Sequence, residues 1–165
     1  MAILGVRTYP DALLSQVSQE VRDLGPEEKQ LIEDLIETMY EYDGVGMAAP
    51  QVGVLKRIIV VSPEGKPGTE KVYLNPRILS EEGEEVGIEG CLSLPGVSGE
   101  VNRAKKILLE ALDIDAKRIQ IKAEGFAARI FQHEIDHLNG KLFIDRIGFK
   151  QRRELVTNLR TLKQM

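Results

Sequence analysis

The chain's only two histidines stand four residues apart, as His133-Glu134-Ile135-Asp136-His137, in a stretch that is apolar at helical spacing and closes on Gly140. At positions i and i+4 of a helix, both imidazoles lie on one face about one turn apart, where their nitrogens can reach a single metal ion at ~2.0–2.1 Å. The spacing therefore predicts a helix from Phe126 to Leu138 with a functional face, and with Phe131, Ile135 and Leu138 on a different, core-forming face. Any fold for this chain has to bury one side of that helix while leaving the histidine side reachable.

Two ligands do not make a stable site, and metallopeptidases with this helix usually take a third ligand downstream as Glu or His. No third histidine exists, so the single cysteine, Cys91 in EGCLSLP, is the candidate. Each feature alone has a plainer reading: two histidines can simply cover a helix, and one cysteine is more often a small buried hydrophobe than a ligand. The same lone cysteine excludes an intramolecular disulfide and gives no sign of an oxidising compartment.

The rest of the pattern fits one α+β domain, residues 1–165, with mixed or antiparallel sheets around a central H-E-x-x-H helix. The first 25 residues read as an extended lead and a short helical turn. Pro26 opens an amphipathic helix, with Glu27 and Glu28 in its first turn and Leu31, Leu35, Ile36 and Met39 at helical spacing, and Asp43-Gly44 stops it. The glycine-rich run GVGMAAPQVG, 44–53, suggests an ordered loop. Strands are expected at Arg57–Ser62, Val72–Asn75, Ile78–Ser80, Glu84–Ile88, Ile107–Asp113 and Arg118–Ala123. The last twenty residues place Leu155, Leu159 and Leu162 at helical spacing and carry six Lys/Arg against one Glu, which predicts a basic C-terminal helix.

A formal net charge of -4 leaves the whole chain without an electrostatic footprint for DNA, other nucleic acid or an acidic membrane, so any basic contact must be local. There is no apolar run of the ~18 residues that a membrane span requires. Met1 to Pro10 does not have the pattern of a targeting segment, and the expected location is the bacterial cytoplasm.

Three segments, GVGMAAPQVG (44–53), EGCLSLPG (89–96) and FQHEIDHLNG (131–140), closely resemble the three signature motifs of peptide deformylases, in the same order and with similar separations. The resemblance runs from the YPD near the N-terminus to the LF-D pattern after the third motif and fades after about residue 148. It implies a hydrolase that removes the formyl group from the N-terminal formyl-methionine of nascent polypeptides. It also implies Cys91, His133 and His137 as metal ligands, with a fourth position open to water as in catalytic sites. Fe(2+) is the physiological metal that it implies, with Ni(2+), Co(2+) or Zn(2+) able to take its place.

Glu134 lies about 100° round the helix from His133, so it borders the metal-activated water and is the expected general base. By resemblance, the Gln51 side-chain amide and the Leu92 backbone N–H face the oxyanion that forms on attack. Gly46 would let the main chain approach and pair with the peptide. Phe126 and Ile130 share the histidine stripe and, with Val45, are expected to wall an apolar methionine slot. Arg129 is expected to be exposed and to touch the substrate beyond methionine. Glu89, itself paired with Arg103, is the candidate for fixing a ligand histidine. One departure stands out: where many deformylases have an arginine soon after EGCLSLP, this chain has Ser98.

Two other readings compete. An endopeptidase of the H-E-x-x-H class would share the chemistry but cleave internal bonds, and the upstream cysteine argues against it. A metal-stabilised binding module would fill the fourth position and have no use for Glu134. As partners, the resemblance implies formyl-methionyl nascent chains and a ribosome contact near the exit site, for which the basic C-terminal helix is a candidate.

Overall fold

A computed structural model describes residues 2–164, with side chains through residue 161. Its helices are α1 (Pro26–Glu41), α2 (Gly125–Leu138) and α3 (Phe149–Gln164), and its strands are β1 (Gly46–Ala48), β2 (Ile58–Val61), β3 (Lys71–Glu82), β4 (Glu85–Cys91), β5 (Leu94–Arg103), β6 (Lys106–Leu112) and β7 (Arg118–Glu124). Five strands form one sheet in the order β1-β2-β3-β6-β7, and β4 pairs with β5 in a separate two-stranded sheet. Every pairing between named strands is antiparallel, so of the mixed and antiparallel arrangements expected it is the antiparallel one that forms.

The five-stranded sheet lies between α1 and α2, and β2 explains why. Its four residues IIVV are all buried because the strand is covered on both faces. Ile59 and Val61 pack with Phe131, Ile135 and Leu138 of α2. Ile58 and Val60 point the other way, against Ile32, Leu35 and Met39 of α1. Burying each such side chain contributes roughly 1.5–3 kcal/mol, which fixes α2 by its apolar face and leaves its histidine face for other work. A third cluster joins Leu94 and Val101 of β5 to Phe143, Ile144 and Leu159, and so seats the middle of α3 on the β4–β5 hairpin. Leu162, the third leucine of the expected C-terminal stripe, has its side chain outside the described residues.

Several boundaries differ from expectation for physical reasons. The glycine-rich run at 44–53 is not simply a loop: Gly46–Ala48 pairs with β2, and Ala49–Val52 makes a 3-10 turn. Val72–Asn75 and Ile78–Ser80 are parts of one strand, β3, interrupted by a register shift between Leu74 and Arg77. Pro76 has no N–H to give and is accommodated there, while Asn75 (φ 50°) turns its side chain to Val21, donating to its carbonyl and accepting from its N–H. β5 was not foreseen at all, since its LPGVSGEVNR sequence is poor in strand formers and owes its extended form to β4. At the far end of α2, Gly140 takes φ 73°, and a Cβ there would stand 2.5 Å from the Ser15 carbonyl oxygen.

Candidate metal centre

α2 presents His133 and His137 on the face turned from the sheet, their ring centroids 5.1 Å apart. Cys91 comes to them from the end of β4. It pairs with Leu94 across a turn made of Leu92 and Ser93, so the thiol is held at the hairpin tip, and its Sγ lies 3.4 Å from His137 Nε2. One donor atom from each of Cys91, His133 and His137 lies within 4.8 Å of the other two. This is the convergence a single divalent cation needs, with a mixed thiolate–imidazole donor set suited to Fe, Co, Ni or Zn.

The surroundings prepare the donors. Glu89 Oε1 lies 2.8 Å from His133 Nδ1, an arrangement that keeps the proton on Nδ1 and turns Nε2 towards Cys91. Glu89 is buried, and burial by itself would raise its pKa, but Arg103 and His133 outweigh that and hold it well below the usual carboxylate range. Arg103 supplies a two-pronged contact to it, Nε to Oε2 and Nη2 to Oε1, both at 2.8 Å. Burial, aided by the charges of His133 and Arg103, drives His137 far below the ordinary histidine pKa and so towards the neutral form that ligates. His133 is pushed the other way, because Cys91, Glu89 and Glu134 outweigh the effect of its own burial.

Glu134 lies on the same cleft, 4% exposed, and its Oε1 has no hydrogen-bond partner among the described residues. Burial pushes its pKa up to about 7. A carboxylate poised near neutrality and unspent on its neighbours can both accept and return a proton.

The cleft has a volume of about 880 Å³ and is walled by Val45, Ile88, Phe126 and Ile130 among others. Gln51, 2% exposed in the 3-10 turn, accepts from the Ala48 N–H at 2.9 Å through Oε1 and thereby aims Nε2 at Cys91 Sγ, 3.6 Å away, and at Ser93 Oγ, 3.4 Å away. Leu92 borders the same cleft from the hairpin turn, and Ser98 from β5, opposite Gly90. Gly46 opens β1, an edge strand of the five-stranded sheet whose second side is free of strands among the described residues. Phe126 stands at the rim, 56% exposed.

Arg129 departs from expectation. It is not exposed: its Nη1 donates to Glu89 Oε2 at 2.7 Å and to the Val101 carbonyl at 2.9 Å, and Nη2 donates to the Glu85 carbonyl at 2.6 Å. Although it borders the cleft, its guanidinium ties α2 to the β4–β5 hairpin. Sequence reasoning also missed Ser93, Ile88, Asp136 and Arg146. Asp136 had a visible signal, being an ionisable residue between two ligands, whereas nothing local marks Arg146.

Residues 3–153 match the family model for polypeptide deformylase. Peptide deformylase 1 of Clostridium perfringens is 50% identical over 145 residues, which is 88% of this chain and 98% of that protein. Peptide deformylase of Thermodesulfovibrio yellowstonii is 46% identical over 150 residues, 90% of this chain and 91% of its own. Among solved structures, the crystal structure of a peptide deformylase from Legionella pneumophila superposes with a TM-score of 0.95 at 40% identity, covering 99% of this chain and 96% of that one. With the matched region spanning both β4 and α2, the two elements that bring Cys91, His133 and His137 together, the chain belongs to the polypeptide deformylase family.

Proposed function

We propose that residues 1–165 act as one catalytic domain that hydrolyses the formyl group from the N-terminal formyl-methionine of nascent polypeptides, with Glu134 as general base. The observation that carries this reading is the buried, unpartnered Glu134 carboxylate beside three converging metal donors. Cys91, His133 and His137 would hold one divalent metal, physiologically Fe(2+), which when bound lowers the pKa of water and polarises a carbonyl. Glu134 takes the proton of the attacking water and returns it to the departing amine, a cycle suited to a group whose pKa sits near 7. The Gln51 amide, fixed by its bond from Ala48, and the Leu92 backbone N–H donate to the developing oxyanion.

The free side of β1 offers main-chain groups at Gly46 for strand-like pairing with the peptide, and Val45, Ile130 and Phe126 wall the methionine slot. Arg129 has three of its five N–H donors taken up by Glu89, Val101 and Glu85, so it acts on substrate chiefly through the hairpin that it holds. The bacterial relatives support a cytoplasmic reaction on nascent chains. The exposed Lys150, Arg152 and Arg153 of α3 give a local basic surface for ribosomal RNA near the polypeptide exit. Ribosome co-sedimentation unchanged after replacing all three by Gln would remove that contact from the account.

The decisive assay is amine release from a short formyl-methionyl peptide by protein purified without oxygen, beside the acetylated analogue and Glu134→Ala. Cleavage of the formyl peptide alone, with Glu134→Ala inactive but still metal-loaded, is the expected result. A metal-loaded wild type that releases nothing would reopen the binding-module reading, and cleavage of internal bonds the endopeptidase one.

A further inference from the structure

Asp136 lies between the two histidines in sequence but lines a separate polar cleft and not the one that His133 and Glu134 border. Its Oδ2 accepts from Arg103 Nη1 at 2.6 Å and from Arg146 Nε at 3.0 Å, and its Oδ1 accepts from Arg146 Nη2 at 2.6 Å. Arg103 is the same guanidinium that grips Glu89 with its other two donors, and Glu89 is the carboxylate against His133 Nδ1. The result is an unbroken series, Arg146–Asp136–Arg103–Glu89–His133, running from a surface turn to a metal-facing imidazole. The side chains of Asp136, Arg103 and Glu89 are 7% exposed or less, whereas that of Arg146 is 51% exposed and reaches a narrow polar cleft of about 210 Å³.

We propose that Arg146 is a positioning residue for His133, acting at a distance by satisfying Asp136 so that Arg103 stays committed to Glu89. Two buried carboxylates compete for the one buried guanidinium between them. With Arg146 present, Asp136 has two prongs of its own and needs only one Arg103 donor. Without Arg146, Asp136 Oδ1 loses its partner and the full charge of that carboxylate falls on Arg103, whose rigid fork cannot follow it without loosening from Glu89. Glu89 then holds the His133 ring less firmly, and a ligand whose partner is loosened binds metal more weakly, by ~10–100-fold in comparable sites. Arg146 belongs to the 3-10 turn Phe143–Arg146 that leads into α3, so the seating of the C-terminal helix bears on the metal centre through this residue.

This inference rests on the reading of Cys91, His133 and His137 as the metal site, and the test separates the two. Full-length protein is loaded with Co(2+), and its thiolate and ligand-field absorption bands and its Co(2+) affinity against a competing chelator are measured for wild type, Arg146→Met, Arg146→Lys and the double variant Arg146→Met/Asp136→Asn. Thermal unfolding of the metal-free forms is recorded alongside. Absence of a thiolate band in the wild type would sink the metal-site reading and this inference with it. Given that band, Arg146→Met is expected to weaken Co(2+) binding by ~10-fold with a changed ligand-field spectrum. Arg146→Lys should recover part of the loss, and Asp136→Asn, by removing the competing charge, should recover most of it. An affinity within twofold of wild type for Arg146→Met, or a loss that the double variant fails to recover, overturns the proposal and leaves Arg146 as a staple of the turn.

Discussion

Gly46 and Glu134 touch so closely that no side chain fits between them: a Cβ built on Gly46 would lie 2.7 Å from Glu134 Oε2 and 2.8 Å from Ile130 Cγ2. The glycine is required by contact, and the edge strand and the Glu134 carboxylate are in register because of it. Gly46→Ala must push the carboxylate aside or spread β1 from α2. Since a misplacement of ~1 Å can cost about 10²-fold in rate, kcat on a formyl-methionyl peptide should fall by ~10–100-fold while metal content stays full. Wild-type kcat in this variant would mean that the Glu134 position is not critical to turnover.

Glu89 should be indispensable for a second reason besides His133. It is the shared counter-charge of Arg103 and Arg129, both buried, with contacts of 2.7–2.8 Å. Glu89→Gln keeps the shape but leaves two buried guanidinium groups short of a partner, and breaking a buried pair typically costs ~3–5 kcal/mol. Denaturant unfolding should show a loss of that order, and chelator competition a metal affinity lower by ~10–100-fold. Full retention of both would rule out the role given to this carboxylate.

What the sequence makes legible here is what local periodicity and local chemistry can encode. α1, α2 and most strands follow from apolar spacing and turn residues, and His133, His137 and Cys91 stand out because their side chains have few other uses in this pattern. β5 was opaque because Gly96 and Gly99 weaken its own signal and its extension comes from pairing with β4. Arg129 was misread because the group that buries it, Glu89, lies 40 residues away in sequence. Arg146 was invisible for a like reason: its partner Asp136 is near in sequence, but what that pair bears on, Arg103 and Glu89, arrives from the hairpin.

Gly140 carries a prediction about stability alone. Its φ of 73° and the Ser15 carbonyl oxygen 2.5 Å from its would-be Cβ let the N-terminal turn close on the end of α2, where the Ser18 N–H donates to the Leu138 carbonyl. Gly140→Ala combines backbone strain with a backbone clash, and a loss of ~1–3 kcal/mol in unfolding free energy is expected. Cys91 lies on β4, and His137, though only three residues before Gly140, is still within α2, so metal affinity measured on the folded fraction should hold. An unchanged unfolding midpoint would show that the N-terminal turn adjusts freely.

The elevated Glu134 pKa has a consequence for stability as well as for proton transfer. In the metal-free protein burial raises that pKa from 4.5 to about 7, so between those values the folded state binds a proton that the unfolded state has released. Unfolding free energy must then fall as pH rises through this interval, and the loss is complete once pH exceeds the folded value. Glu134→Gln keeps a neutral group of the same shape and removes the penalty. Metal-free Glu134→Gln should therefore match the wild type near pH 4 and become more stable than it by pH 7.5, by on the order of 1–3 kcal/mol. Urea unfolding of both proteins across that range measures the gap. A gap that does not grow with pH would mean that Glu134 ionises in the fold as easily as in the open chain, and its service as a base poised near neutrality would lose its physical ground.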